Sequence, residues 1–316
     1  MRSSWPSAAG IAGGLGLDAL LGDPRRGHPV AAFGTVAART ERVLHRDSRA
    51  AGAAYTALLG GGTALLGTVV ARRAQHPVVR VALTAAATWS VVGGTSLRRE
   101  ALAMHALLRD GDVEGARARL PHLCGRDPAG LGPADLARAT VESVAENTSD
   151  AVVGPLLWGA VAGVPGLVGY RAVNTLDAMV GHRSPRYARF GWASARLDDA
   201  ANLAPARITA GLATVLAPLV GGRPEEARRV WVRDGYKHPS PNAGPVEAAF
   251  AGALGRTLGG RLSYAGRVED RPLLGNGPAP DVADIPRAAR LSTGVGLAAG
   301  VLAVGVRGLV VRRSRR

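Results

Sequence analysis

Along this chain, apolar residues gather in long stretches that contain no charge, and polar residues gather between them. Residues 50–71 (AAGAAYTALLGGGTALLGTVVA) run for 22 positions without Asp, Glu, Lys or Arg. As a helix such a run is about 33 Å long, enough to cross a hydrocarbon core of about 30 Å. Residues 81–97, 151–170 and 291–311 repeat the pattern, the last interrupted only by Arg307. Two weaker segments, 3–21 and 203–222, carry Asp18 and Arg207 respectively. Small residues recur four apart, as at Gly296 and Gly300, a spacing that lets membrane helices approach closely. The pattern predicts an all-α, polytopic helical membrane protein with four to six hydrophobic segments, helical polar loops and a single domain over residues 1–316. The competing expectation is a soluble, alanine-rich helical protein, and the near-neutral mean hydropathy of +0.09 favours it. Run length and the absence of charge outweigh that average.

Orientation is less direct. Six arginines fall in residues 23–49 and four in the tail VRRSRR, so both regions should face the cytoplasm. Six complete crossings would put them on opposite sides, so at least one segment does not cross. Segment 151–170, with Pro155 and Pro165, reads as a re-entrant or broken helix, and 203–222, with Pro205 and Pro218, is equally suspect.

The formal charge of +15 changes the picture little. Lys237 is the only lysine among 39 basic residues, aromatic residues are 4%, and no basic stretch is interleaved with stacking side chains, which argues against a nucleic-acid partner. The single cysteine, Cys124, excludes an intrachain disulfide. The N-terminal apolar run lacks a clean signal-peptide exit and reads as retained.

Chemistry is offered by acidic blocks beside the apolar segments. In ESVAENTSD, Glu142, Glu146 and Asp150 are four residues apart, with Asn147 among them. A regular helix would set the acids on one face about 6 Å apart, where each neighbouring pair repels by roughly 3 kcal/mol at an effective dielectric near 20. YRAVNTLDAMVGH contributes Asn174 and Asp177, and RLDDAANLAPAR contributes Asp198, Asp199 and Asn202. Oxygen-rich sets of this kind suit a hard cation such as Mg²⁺, with substrate phosphates completing its shell. Each block alone reads better as a capped, solvated helix end. Three blocks flanking apolar segments favour a metal–phosphate site. Arg171, Arg207 and Arg233 lie in or beside these blocks and could hold phosphate or carboxylate groups, or simply balance charge. Two Pro/Gly turns hold histidines: GDPRRGHPV pairs Asp23 with His28, and RDGYKHPSPNAGPVEAAFAGALG sets Asp234, Lys237, His238 and Asn242 ahead of Glu247. Either histidine could serve as a general base or merely cap its turn. There is no phosphate-cradling GxxxxGK[ST] loop, no G-x-S-x-G and no H-E-x-x-H.

Taken in order, LDALLGDPRRGHPV, ESVAENTSDAVVGPLLW, YRAVNTLDAMVGH, RLDDAANLAPARITA and RDGYKHPSPNAGPVEAAFAGALG resemble the CobD/CbiB family of cobalamin biosynthesis, the adenosylcobinamide-phosphate synthases. The resemblance runs from about residue 10 to 260 and on into the last apolar segment. It implies a multi-pass protein of the inner membrane that joins adenosylcobyric acid to (R)-1-amino-2-propanol or its O-phosphate, forming an amide on the ring D propionate in an ATP-dependent ligation. ATP would be co-substrate, Mg²⁺ the cofactor and the corrinoid the substrate; membrane lipid and other late cobalamin-pathway enzymes would be partners. On this basis Glu142, Glu146, Asn147, Asp150, Asp177, Asp198 and Asp199 are expected near metal. Asp23, Arg171, Asn174, Arg207, Arg233, Lys237, Asn242 and Glu247 are expected to contact substrate or phosphate. His28 or His238 would take the proton of the attacking amine, with Glu146, Asp198 and Asp199 also catalytic. The turn after GDP departs from the family pattern around His28, which weakens roles for its neighbours. Two other classes fit the blocks less well: a Mg²⁺-dependent prenyl or CDP-alcohol transferase, whose DDxxD and DGxxAR spacings are absent, and a corrinoid-binding scaffold or transporter.

Overall fold

A computed structural model of the chain describes residues 5–24, 27–182, 184–264 and 267–313. Residues 3 and 4 of the first apolar segment, Arg25 and Arg26 of the GDPRRGHPV turn, and the last three residues of the basic tail lie outside the described residues. Helices dominate, and among the described residues the only strands form an antiparallel hairpin, Leu258–Tyr264 with Arg267–Leu274. The polar loop that holds this hairpin was expected to be helical. Gly259 and Gly260 take positive φ there, and the register shifts between Leu258 and Gly260, so the segment enters a bulged strand instead.

Among the described residues, three helices are long and apolar enough to cross a membrane: Arg49–Arg73, Pro77–Arg109 and Asp284–Leu309. They contain the 50–71 and 81–97 segments and nearly all of 291–311. Their outward surfaces are apolar, with Leu58, Leu65, Leu66, Leu297, Val301 and Leu302 all more than half exposed. Such faces suit lipid and not water. The protein is a polytopic helical membrane protein. The other three expected segments do not form helices of that kind. Trp5–Leu21 has 17 residues, about 25 Å. Segment 151–170 is cut at Gly163, between helices Gly154–Ala162 and Val164–Leu176. Segment 203–222 lies partly in Trp192–Val215, which carries several charges, and then tightens into a 3₁₀ turn at Ala217–Val220 beside Pro218.

The chain forms two compact units, Met1–Gly93 with Gly154–Asn202 and Ala299–Arg316, and Gly94–Val153 with Leu203–Ala298. In the first, Trp5–Leu21 lies along Pro77–Val91. A Cβ at Gly10 would stand 2.5 Å from Thr84 Cβ, and one at Gly14 would stand 2.4 Å from Thr88 Cβ. Glycines four apart therefore let the two backbones touch, the contact that substitutes for a hydrophobic driving force in lipid. At Gly163 the backbone adopts φ +73°, and the two flanking helices fold back on each other, with a Cβ at Gly159 meeting Leu167 at 2.7 Å. That reversal strands the last carbonyls of Gly154–Ala162. Arg307, on the long C-terminal helix, donates from Nη1 to the Val161 carbonyl at 3.2 Å. An arginine in an apolar span is thus explained by the helix end it caps.

In the second unit, Ala243–Leu254 is buried along its whole length, as an all-round apolar helix should be. Pro133–Thr148 and Pro224–Asp234 pack against it. Leu258 and Leu274, paired at the base of the hairpin, are fully buried and fix the hairpin to this core. Arg287 gathers the Val220 carbonyl at 2.8 Å and the Leu254 carbonyl at 3.1 Å, satisfying two chain ends with one guanidinium.

Candidate functional site

The second unit brings together side chains from four separate stretches. Glu142 projects from the buried side of Pro133–Thr148, and its Oε2 accepts from Arg126 Nη2 at 2.6 Å. Its Oε1 accepts from the Gly259 backbone N–H at 2.7 Å. Gly259 has φ +88°, and a Cβ there would lie 2.2 Å from the Pro272 carbonyl oxygen, so only glycine brings that N–H into reach. Glu247 comes from the middle of the buried Ala243–Leu254 helix and faces His238 Nε2 at 3.7 Å. Arg271, on the second strand, places Nη1 3.2 Å from the same His238 nitrogen.

Glu146, one turn beyond Glu142, is open to solvent in surface area although protein surrounds it on most sides. Burial pushes its carboxyl above the usual range, against the pull of Arg271 and Arg126. Glu247 is pushed well above the usual range, first by burial and then by the charges of Glu142 and Glu146. Burial and then Arg271 push His238 down to about 4, so its ring is neutral at physiological pH. The ring has two hydrogen-bonding patterns. With Nδ1 accepting from the Ser240 N–H at 3.0 Å, Nε2 carries the proton toward Glu247. With Nδ1–H on the Ser240 carbonyl at 3.4 Å, the Nε2 lone pair is offered to Arg271.

The remaining members of the two blocks have structural partners. Asp150 falls in the wide π-type turn Ser149–Val153, so the ladder of acids expected at Glu142, Glu146 and Asp150 does not continue as a regular α-helix. Asn147 donates to the Ser143 carbonyl at 2.9 Å. Asp234 is fully buried and accepts from Arg233, from Lys237 Nζ at 2.7 Å and from the Gly275 N–H at 2.9 Å. The Arg233 guanidinium beside it holds the Asp234 carboxyl below the usual carboxylate range. Arg233 and Lys237 remain about two-fifths exposed and can still present charge. Arg207 donates to Asn242 Oδ1 at 3.1 Å.

In the first unit a second network forms around Asp198, which is buried. Its Oδ1 accepts from Asn174 Nδ2 at 3.3 Å and its Oδ2 from Asn202 Nδ2 at 3.0 Å. Arg171 Nη1 donates to Asn174 Oδ1 at 3.4 Å, and Tyr170 OH donates to Asn202 Oδ1 at 2.6 Å. Asp199 is half-buried beside Asp198, and Asp177 opens another wide turn, Asp177–Gly181. His28 caps the Pro29–Leu44 helix, its Nδ1 accepting from the Val30 N–H at 3.1 Å, while its Nε2 faces Asp23 at 3.8 Å. A neutral His28 bonded in this way carries its proton on Nε2 and does not present a free base there.

Sequence reasoning passed over Arg126, Arg271, Gly259 and Tyr170. Tyr170 was within reach, since it begins a block already singled out. Arg126, in a Gly/Pro-rich loop, and Arg271, on an unexpected strand, meet the glutamates only through tertiary folding. Among the described residues no group of three or more His, Cys, Asp or Glu is placed to hold a metal ion.

These networks belong to a polytopic membrane protein whose buried polar groups are acids, amides and arginines, and whose sequence has no nucleotide-cradling GxxxxGK[ST] loop. A family model described as CobD/Cbib protein matches residues 11–292, and the chain belongs to that family. "Cobalamin biosynthesis protein CobD" of Mycobacterium tuberculosis (strain ATCC 25618 / H37Rv) is 55% identical over 303 residues, 96% of each chain. Proteins of the same name from Geobacter metallireducens and Rhodobacter capsulatus are 44% identical over 82% of this chain and 84% of theirs, and 43% identical over 90% of both chains. No solved structure matches significantly. The protein is an enzyme of cobalamin biosynthesis.

Proposed function

We propose that this protein converts adenosylcobyric acid to adenosylcobinamide or its phosphate, in the inner membrane, by amide coupling of (R)-1-amino-2-propanol or its O-phosphate to the ring D propionate, with ATP as co-substrate. The observation that carries this reading is the cluster of Glu142, Glu247, His238 and two arginines, built around two of the five blocks on which the family resemblance rests. Amide formation from a carboxylate needs activation, most simply as an acyl phosphate, and then an amine freed of its proton. Guanidiniums suit the carboxylate and phosphate, and carboxylates with raised pKa suit the proton.

Mg²⁺ is usually held by one or two carboxylates with substrate phosphates and water completing its shell. Asp198, adjacent in sequence to Asp199 and bonded to Asn174 and Asn202, would supply at most one or two carboxylates to such a shell, and no group of three His, Cys, Asp or Glu among the described residues closes a cage. When bound, Mg²⁺ would neutralise nucleotide phosphate charge. Arg171, Arg207, Arg233 and Lys237 would hold phosphate or corrin carboxylates. Glu142, with both oxygens engaged, would hold Arg126 and the hairpin in place. Association with other late cobalamin-pathway enzymes would pass the corrinoid on.

The test is reconstitution. Protein purified into lipid nanodiscs, given adenosylcobyric acid, the amine and Mg-ATP, is expected to yield a corrinoid heavier by one aminopropanol amide, with nucleotide consumed in step. An unchanged corrinoid from protein that restores synthesis in deletion cells would overturn the reading. Amide formed without nucleotide consumption would overturn the ligation.

A further inference from the structure

The helix Pro224–Asp234 has two faces of different chemistry. Ala227, Val230 and Asp234 are buried, and a Cβ at Gly252 would stand 2.7 Å from Ala227 Cα, so this side rests directly on Ala243–Leu254. Outward lie Arg228, Arg229 and Val232, with Tyr236 just beyond the helix end; Val232 is 64% and Tyr236 79% exposed. With Glu225 and Arg233 the first three line a shallow groove. Arg233 is engaged with Asp234, and Arg229 Nη1 meets Glu226 at 3.2 Å. From Arg223 to Lys237 five bases stand against three acids, so the segment is net positive. This helix begins at the edge of the last span. Arg290, which is exposed, is the final charge before the charge-free run 291–306. One turn inside that run, a Cβ at Gly294 would stand 2.8 Å from Leu219 Cδ1. One turn outside it, Arg287 Nη2 donates to the Val220 carbonyl at 2.8 Å. The chain therefore enters Pro224 from the level where the apolar span gives way to charge, which is the headgroup level of a bilayer. Val215 and Leu219, both apolar and exposed, carry the lipid-facing surface up to that level.

We propose that the outward face of Pro224–Asp234 binds the phosphodiester headgroup of an anionic phospholipid, in the leaflet where the last span begins. The proposal uses no part of the ligase reading. Charge selects the anion: guanidiniums pair with phosphate through two parallel hydrogen bonds, and Arg228 and Arg229 both face outward. A zwitterionic headgroup brings its own ammonium, which the same guanidiniums repel. The apolar members select a lipid over free phosphate. A small anion leaves Val232 and Tyr236 in water, whereas the glycerol and first acyl carbons of a lipid cover them, and a tyrosine suits the interface. Continuity with Val215 and Leu219 favours the membrane over an acidic protein, because that flank already faces acyl chains. Bound lipid would hold Pro224–Asp234 against the bilayer, and with it the loop that carries His238.

Native mass spectrometry of the delipidated full-length protein, titrated with phosphatidylglycerol or with phosphatidylcholine of the same acyl chains, counts bound lipids one by one. In the wild type the tightest phosphatidylglycerol adduct should form at a concentration about tenfold or more below that needed for phosphatidylcholine. Glycerol phosphate at equal concentration should not displace it. Replacing both arginines, Arg228→Gln with Arg229→Gln, should bring that adduct to the phosphatidylcholine concentration. A spin label on Val232→Cys, in a Cys124→Ser background, tests the placement with both arginines kept. The label should be less accessible to a water-soluble nickel chelate in phosphatidylglycerol vesicles than in phosphatidylcholine vesicles. Displacement by glycerol phosphate, an unchanged preference in the double variant, or equal chelate access in the two vesicles would overturn the proposal. Equal affinity of the wild type for the two lipids would also overturn it, and would leave the face to an acidic protein.

Discussion

Arg126 and Glu142 are joined at 2.6 Å with each side chain only 5% exposed, and the second Glu142 oxygen is held by the Gly259 N–H. This pair ties the loop before Pro133–Thr148, that helix and the β-hairpin together. Removing one charge strands the other, which costs about 3–5 kcal/mol in buried pairs. Glu142→Gln should therefore lower thermal stability in detergent sharply, whereas a double replacement by Arg126→Met and Glu142→Leu should recover a large part of the loss. Equal stability of the wild type and Glu142→Gln would show that the pair is not structural.

A second consequence concerns the chain reversal at Gly163. Arg307→Leu should leave the Val161 carbonyl without a donor in apolar surroundings, at about 1–3 kcal/mol. Gly163→Ala should be destabilising for two reasons: φ is +73°, and the new Cβ would stand 2.7 Å from Arg307 Nη2. Thermal unfolding in lipid nanodiscs checks both, and an undiminished midpoint in Arg307→Leu would remove the capping role.

The six-segment hydrophobic pattern was partly legible because a missing charge is a local property. Arg49–Arg73 and Asp284–Leu309 follow directly from runs without acids or bases. The break at Gly163 was foreshadowed by Pro155 and Pro165, but its direction depends on a glycine whose φ no spacing rule specifies. The acids were legible as blocks and not as a site. Glu142 and Glu247 are 105 positions apart in the chain, and they meet Arg126, Gly259 and Arg271 only because a buried helix and a bulged hairpin converge. Equal spacing of Glu142, Glu146 and Asp150 suggested one face, and the wide turn at Ser149 ended it.

Acid should destabilise the protein in part through His238. Its folded pKa of about 4 lies below the ordinary 6.5, so the unfolded chain binds the proton first as pH falls. Its contribution is intact above 6.5 and is lost progressively from 6.5 down to about 4, up to about 3 kcal/mol in total. Glu146 and Glu247 act in the opposite sense. Their raised pKa values give stability that is present below the unfolded value and lost as pH rises through the folded one. Denaturation curves for wild type and His238→Asn should therefore diverge as pH falls below 6.5, the variant losing less stability. Parallel curves would contradict the burial of a neutral ring.

In the first unit, Asp198 is the shared acceptor of Asn174 and Asn202, and Tyr170 fixes Asn202. Asp198→Ala should abolish amide formation, whereas Tyr170→Phe should retain activity with a stability loss of about 1–2 kcal/mol. Isotope-labelled amine incorporation into the corrinoid measures the first, and full incorporation by Asp198→Ala would remove that carboxylate from the reaction.

The central claim, coupling of an amine to adenosylcobyric acid, is tested most directly by complementation. Cells lacking this gene are expected to make cobalamin from supplied cobinamide but not from cobyric acid, and the wild-type gene should restore use of cobyric acid. Glu146→Gln should fail to restore it while accumulating in the membrane at the wild-type level. Deletion cells that make cobalamin from cobyric acid but not from cobinamide would contradict the account.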